Sequence, residues 1–135
     1  MDIKNIKVLG TVLFYTDNLK KEKQIKELCR SLGLVTRAIK KQDIKKPVGS
    51  ICAQGGIKGS SLLIKEEKAK APDKYNLPEL IIFSGLSDEG VYKFLEEYKK
   101  SEIEPVGLKA VVTPTNISWS LYELVCELEK ERKHL

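Results

Sequence analysis

Two short polar stretches hold the residue types best suited to gripping a small ligand. Ser84, Gly85 and Ser87 directly follow the apolar run Leu80-Ile81-Ile82-Phe83, and Thr113, Thr115 and Asn116 follow a second apolar run over 106–112. Hydroxyl and amide groups donate and accept hydrogen bonds, and Gly85 lets backbone come close to a bound group. Each stretch also precedes a helix-forming segment, whose first N–H groups and positive dipole end suit an anion or polar ligand. The competing reading is turn and cap chemistry. Ser87 is a good N-cap, Asp88, Glu89 and Glu123 complement the helix dipole without a ligand, Pro114 stops a strand and Asn116 turns the chain. Trp119, just beyond, reads as an anchor that packs this turn onto the core.

A second candidate set is cationic. Residues 1–46 carry 12 basic and 5 acidic side chains, whereas 47–135 carry 12 and 14, so the overall charge of +5 comes from the N-terminal segment. Lys20, Lys21, Lys40 and Lys41 are the natural contacts for a polyanion, with Lys45, Lys46 and the polar Thr16, Asp17 and Asn18 close in sequence. Arg, the better reader of phosphates and bases, occurs only at 30, 37 and 132, and no aromatic residues interleave the basic ones. Nucleic-acid binding is therefore the alternative reading and a solvated lysine surface the favoured one.

Several chemistries lose support. Cys29, Cys52 and Cys126 are far apart, and the one histidine, His134, stands next to the last residue, so no zinc-ligand spacing exists and no histidine-assisted nucleophile can be assembled. Free thiols in a reducing compartment follow. Gly55-Gly56-Ile57-Lys58-Gly59-Ser60-Ser61 lacks the Gly-Lys-Ser/Thr ending of a phosphate loop. Lys109, with Asp88 and Glu89, is the only acid–base material near the first candidate site. No cofactor or metal is expected, and the reading leans away from an enzyme.

The elements that position these residues follow one grammar stated twice. Val12-Leu13-Phe14-Tyr15 is a strand-like run; Ile25, Leu28, Cys29 and Leu32 then mark one helix face, Gly33 stops it, and residues 34–39 read as a second strand. In the second half, Leu80-Ile81-Ile82-Phe83 is followed by Val91, Phe94, Leu95 and Tyr98 at the same helical spacing, then by a strand over 106–112. The helix stripes lie 66 positions apart and the strands 68 and 69, which suggests an internal repeat. A short helix over 47–53 and a longer one carrying Leu121, Leu124, Val125 and Leu128 follow the respective units, the longer opening on the capping-box pair Ser120 and Glu123.

The chain, 135 residues and 41% apolar, reads as a single α+β domain. Residues 1–57 form the first βαβ repeat with its short helix, 58–77 a charged mobile linker, and 78–135 the second repeat with its C-terminal helix. The first strand of each unit is apolar on both faces and central, while Arg37 and Lys109 mark the second strands as edges. A ferredoxin-like order of the four strands is favoured, and a small doubly wound parallel sheet is the alternative. Homodimerisation through an edge strand is compatible with such a sheet. No stretch has the length and apolarity of a membrane span, and the expected location is the cytoplasm.

The chain resembles a bacterial family catalogued as domain of unknown function number 3783. The resemblance is carried by Val12-Leu13-Phe14-Tyr15 with Gln24-Ile25-Lys26-Glu27-Leu28-Cys29, by Pro47-Val48-Gly49 with Gly56-Ile57-Lys58-Gly59, and by Leu108-Lys109-Ala110-Val111-Val112-Thr113-Pro114-Thr115-Asn116 with Trp119. It implies a small intracellular protein and no particular activity. The functional expectation is a non-catalytic binding or regulatory module for a partner protein or a small polar or anionic ligand.

Overall fold

The computed structural model describes residues 10–52 and 75–133. A four-stranded sheet runs in the order β2-β1-β3-β4, with β1 Thr11–Tyr15, β2 Val35–Ala38, β3 Leu80–Ser84 and β4 Leu108–Val111. β1 pairs with β2 and β3 with β4 in parallel, while the central pair β1/β3 is antiparallel. The helices are α1 Leu19–Leu32, α2 Val48–Cys52, α3 Asp88–Lys100 and α4 Leu121–Lys133, and 3₁₀ turns at Lys41–Lys45 and Asn116–Ser118 precede α2 and α4. Strand, helix, strand, 3₁₀ turn and helix thus follow one another in each half.

The strand alternation splits the core into two layers. Val12 and Phe14 of β1 and Ile81 and Phe83 of β3 point to one face, where α1 brings Ile25, Leu28 and Cys29 and α3 brings Phe94 and Tyr98. Phe94 meets Phe83 edge-on, with ring centroids 5.2 Å apart. Leu13, Tyr15, Leu80 and Ile82 point the other way, against Ile44, α2 (Val48, Ile51) and α4 (Leu121, Leu124, Val125). Full burial of a side chain such as Phe94 or Leu121 contributes about 1.5–3 kcal/mol, so both faces of the sheet must be covered, and both are.

The central and edge positions agree with the apolar patterning, and α4 is the expected C-terminal helix. The strand order is not ferredoxin-like: that arrangement separates the two strands of each βαβ unit by a third, whereas here they are direct neighbours. The exit from α1 shows why. Gly33, left-handed at φ 76°, ends the helix, and after one further residue Val35 N–H already donates to Gly10 C=O (3.0 Å) and Ile39 N–H to Phe14 C=O (2.7 Å). The antiparallel β1/β3 pair excludes the wholly parallel alternative. Apolar patterning distinguishes centre from edge but does not choose which edge strand joins which centre.

Most of the charged 58–77 segment lies outside the described residues, as do Gly55 to Ser61 and His134. Its last residues are packed. Tyr75 stands edge-on to Tyr122 of α4 at 5.2 Å, and Leu77 is buried in the core.

Candidate functional site

β3 and β4 are parallel, so their C-terminal ends emerge side by side. Phe83 is in register with Val111, and Val112 N–H donates to Phe83 C=O (2.9 Å). The stretches 84–87 and 113–116 therefore leave the same end of the sheet. What each side chain does there differs.

Ser87 caps α3: its Oγ accepts from Gly90 N–H at 3.1 Å, and Asp88 and Glu89 occupy the first turn. Asn116 is buried and locks the turn before α4. Its Oδ1 accepts from Thr113 N–H (2.8 Å), its Nδ2 donates to Val111 C=O (3.0 Å), and its own N–H donates to Thr113 Oγ1 (3.0 Å). Both side-chain groups of Asn116, and the Thr113 hydroxyl as acceptor, are therefore engaged by the fold. Ser84 is half-buried, with its side chain near the Cys52 thiol. Burial pushes that thiol up, against the lowering effects of Ser84 and the Arg37 charge. Gly85 is left-handed at φ 79° with open space where a Cβ would stand, and Thr115 is exposed with no capping bond. Two apolar side chains near this end are exposed among polar ones, Val111 at 43% and Ile117 at 37%, with exposed Pro114 between them in sequence. Trp119 is half-buried against the core as the anchor expected of it, and its C=O accepts from Val48 N–H at 2.8 Å.

The members of the basic set differ in exposure. Lys20 is exposed, but Lys21 is 5% exposed, with Nζ 2.8 Å from Glu79 Oε1 and 3.3 Å from Pro105 C=O. Thr16 donates its hydroxyl proton to the other Glu79 oxygen. Partial burial raises the Glu79 pKa, but the bonds from Lys21 and Thr16 outweigh it and hold the carboxyl below its ordinary value. Lys40 and Lys41 are exposed. Lys46 Nζ pairs with buried Asp43 at 2.9 Å, and Asp43 also accepts from Lys40 N–H (2.9 Å), the same turn lock that Asn116 makes with Thr113.

Sequence reasoning missed the Lys21–Glu79 pair and the Asp43 lock. The spacing of Asp43 to Lys46 was a local signal, whereas Lys21 and Glu79 are joined only through the antiparallel β1/β3 seam. Lys109 Nζ is spent on Val106 C=O at 3.0 Å. Burial pushes the Cys29 thiol up to about 12, away from nucleophile chemistry. The three cysteines are free, and among the described residues no three His, Cys, Asp or Glu side chains gather to hold a metal, and no helix is long and apolar enough to cross a membrane.

Residues 79–135 match the family model described as Domain of unknown function (DUF3783). The family expected from the sequence is thus found over the second half of the chain, including residues 108–119, while the N-terminal stretches quoted for the resemblance lie outside the match. No curated protein matches the chain. No solved structure matches it either.

Proposed function

We propose that the protein is a non-catalytic binding module, cytoplasmic, whose recognition surface is the sheet end bearing 84–87 and 113–116, and that its ligand is a partner protein rather than a small polar molecule. One observation carries the choice. The polar groups that would grip a small ligand, on Ser87 and Asn116, are spent on their own backbone, while two apolar side chains, Val111 of the edge strand β4 and Ile117 of the turn before α4, are left exposed. Exposed apolar side chains rimmed by polar ones, next to a strand edge with unpaired backbone groups, suit a protein surface. Nucleic-acid binding through the N-terminal lysines draws less support, because Lys21 and Lys46 have carboxylate partners. Free cysteines accord with a reducing compartment.

The reading includes an internal repeat. The helix N-caps Asn18 and Ser87, and the buried Ile25 and Phe94, lie 69 positions apart, so the helices share the offset of β1 and β3 rather than the 66 read from the stripes, while β2 and β4 lie 73 apart. Asp43 and Asn116, 73 apart, make the same turn bond.

Native mass spectrometry of the chain isolated from its own cells tests the binding reading. A companion protein retained by the wild type and lost from a folded Val111→Lys/Ile117→Glu variant supports it. Equal retention by both refutes the assignment of the surface.

A further inference from the structure

We infer that the seam between the two halves is a two-fold interface whose side chains have specialised so that each half pairs with the unlike half and rejects its own kind. The inference rests on the repeat reading above and is independent of the partner-protein site.

The backbone of the seam is two-fold. In the β1/β3 ladder Leu13 faces Ile82, and these are equivalent positions, 69 apart; the flanking pairs Thr11↔Ser84 and Tyr15↔Leu80 exchange with each other under the same offset. The halves meet again where α2 and α4 begin. There Pro47 bridges Ser120, with Val48 N–H donating to Trp119 C=O (2.8 Å) and Leu121 N–H to Lys46 C=O (2.9 Å). Pro47 and Ser120 are equivalent, and the two hydrogen bonds exchange, under the offset of 73 that also relates Asp43 to Asn116. An interface in which residue i meets j and j meets i is the mark of a two-fold dimer, here carried on one chain.

The side chains break that symmetry at the two ends of the ladder. At one end Glu79, from the second half, receives hydrogen bonds from Lys21 and Thr16 of the first. The equivalents of Glu79, Lys21 and Thr16 are Gly10, Gly90 and Gly85. At the other end Leu86 fills the space over Gly10, where a Cβ would stand 2.3 Å from Leu86 Cδ1. Two copies of the second half placed on the same axis would set each Glu79 against the partner copy's Leu86, with glycine in place of Lys21. That leaves a partnerless carboxylate against a leucine, twice. Two first halves would likewise leave each Lys21 facing Gly10 instead of Glu79. Unpaired charge and steric conflict against the wrong partner are how specificity is built into a symmetric scaffold.

The test uses the full chain with a specific protease site placed between residues 58 and 70, cleaved after folding. Native mass spectrometry and size exclusion are then read over a range of concentrations. The cleaved halves should persist as a one-to-one complex with no like–like dimer, and the urea midpoint should become concentration-dependent. The Glu79→Gly/Leu86→Ala variant, cleaved in the same way, should yield a dimer of the C-terminal half alongside the complex. Separation or unfolding of the wild-type halves on cleavage overturns the interface. Like–like dimers as abundant as the unlike complex in the cleaved wild type, or their absence from the variant, overturn the specialisation.

Discussion

Replacing Asn116 by Ala should destabilise the fold, because this side chain is bound inward. The residue is 9% exposed, and the change deletes two hydrogen bonds, from Thr113 N–H to Oδ1 (2.8 Å) and from Nδ2 to Val111 C=O (3.0 Å). Each bond contributes about 1 kcal/mol net, and leaving a poorly hydrated backbone partner unpaired adds about 1 kcal/mol or more, so the expected loss is about 2–3 kcal/mol. With a urea m-value of about 2 kcal/mol/M for a domain of this size, the unfolding midpoint should fall by about 1–1.5 M. Thr115→Ala is the control. That side chain is exposed and makes no capping bond, so its effect should stay within about 0.5 kcal/mol. Asp43→Ala, which removes the equivalent lock and also the Lys46 pair, should cost at least as much as Asn116→Ala. A loss below about 0.5 kcal/mol for Asn116→Ala would refute the reasoning and return this residue to the pool of free ligand groups.

Glu79→Gln should cost about 2–3 kcal/mol by chemical denaturation, since it leaves the buried Lys21 ammonium without a counter-charge, tempered by Glu79 being 34% exposed. Because the folded carboxyl titrates below its ordinary value of 4.5, its contribution is complete above that value and is lost as pH falls through the lower folded one; the variant should lose this part of the acid limb in a pH series of unfolding midpoints. Ser87→Ala removes the α3 cap and should cost about 1 kcal/mol in the same assay. Gly10→Ala should be far more damaging than Gly85→Ala by thermal melting. Both positions have positive φ, but a Cβ at Gly10 collides with Leu86, whereas none of the surroundings touch one at Gly85.

Most of the scaffold was legible because its signals are local. Continuous apolar runs marked β1 and β3 as central, Arg37 and Lys109 marked the edges, and Gly33, Ser87 and Ser120 marked helix ends. Strand order was not legible, since it depends on which edge strand returns beside which central one. At the candidate site the sequence placed 84–87 and 113–116 together correctly, because parallel strands in a βαβ unit leave from one end. It could not show that Asn116 turns its amide inward; Pro-Thr-Asn serves equally as a turn or as a ligand contact. Lys21 looked like surface charge because a helix's first turn is usually wet, and only the β1/β3 seam brings Glu79 to it.

The central claim, that the end bearing 84–87 and 113–116 recognises a protein, is tested most directly by site-specific photo-crosslinking in the protein's own cells. A photoreactive residue at Ile117 should capture one discrete protein, and the same probe at Lys93, exposed on the outer side of α3, should not. Equal capture at both positions, or none at Ile117, would contradict the account.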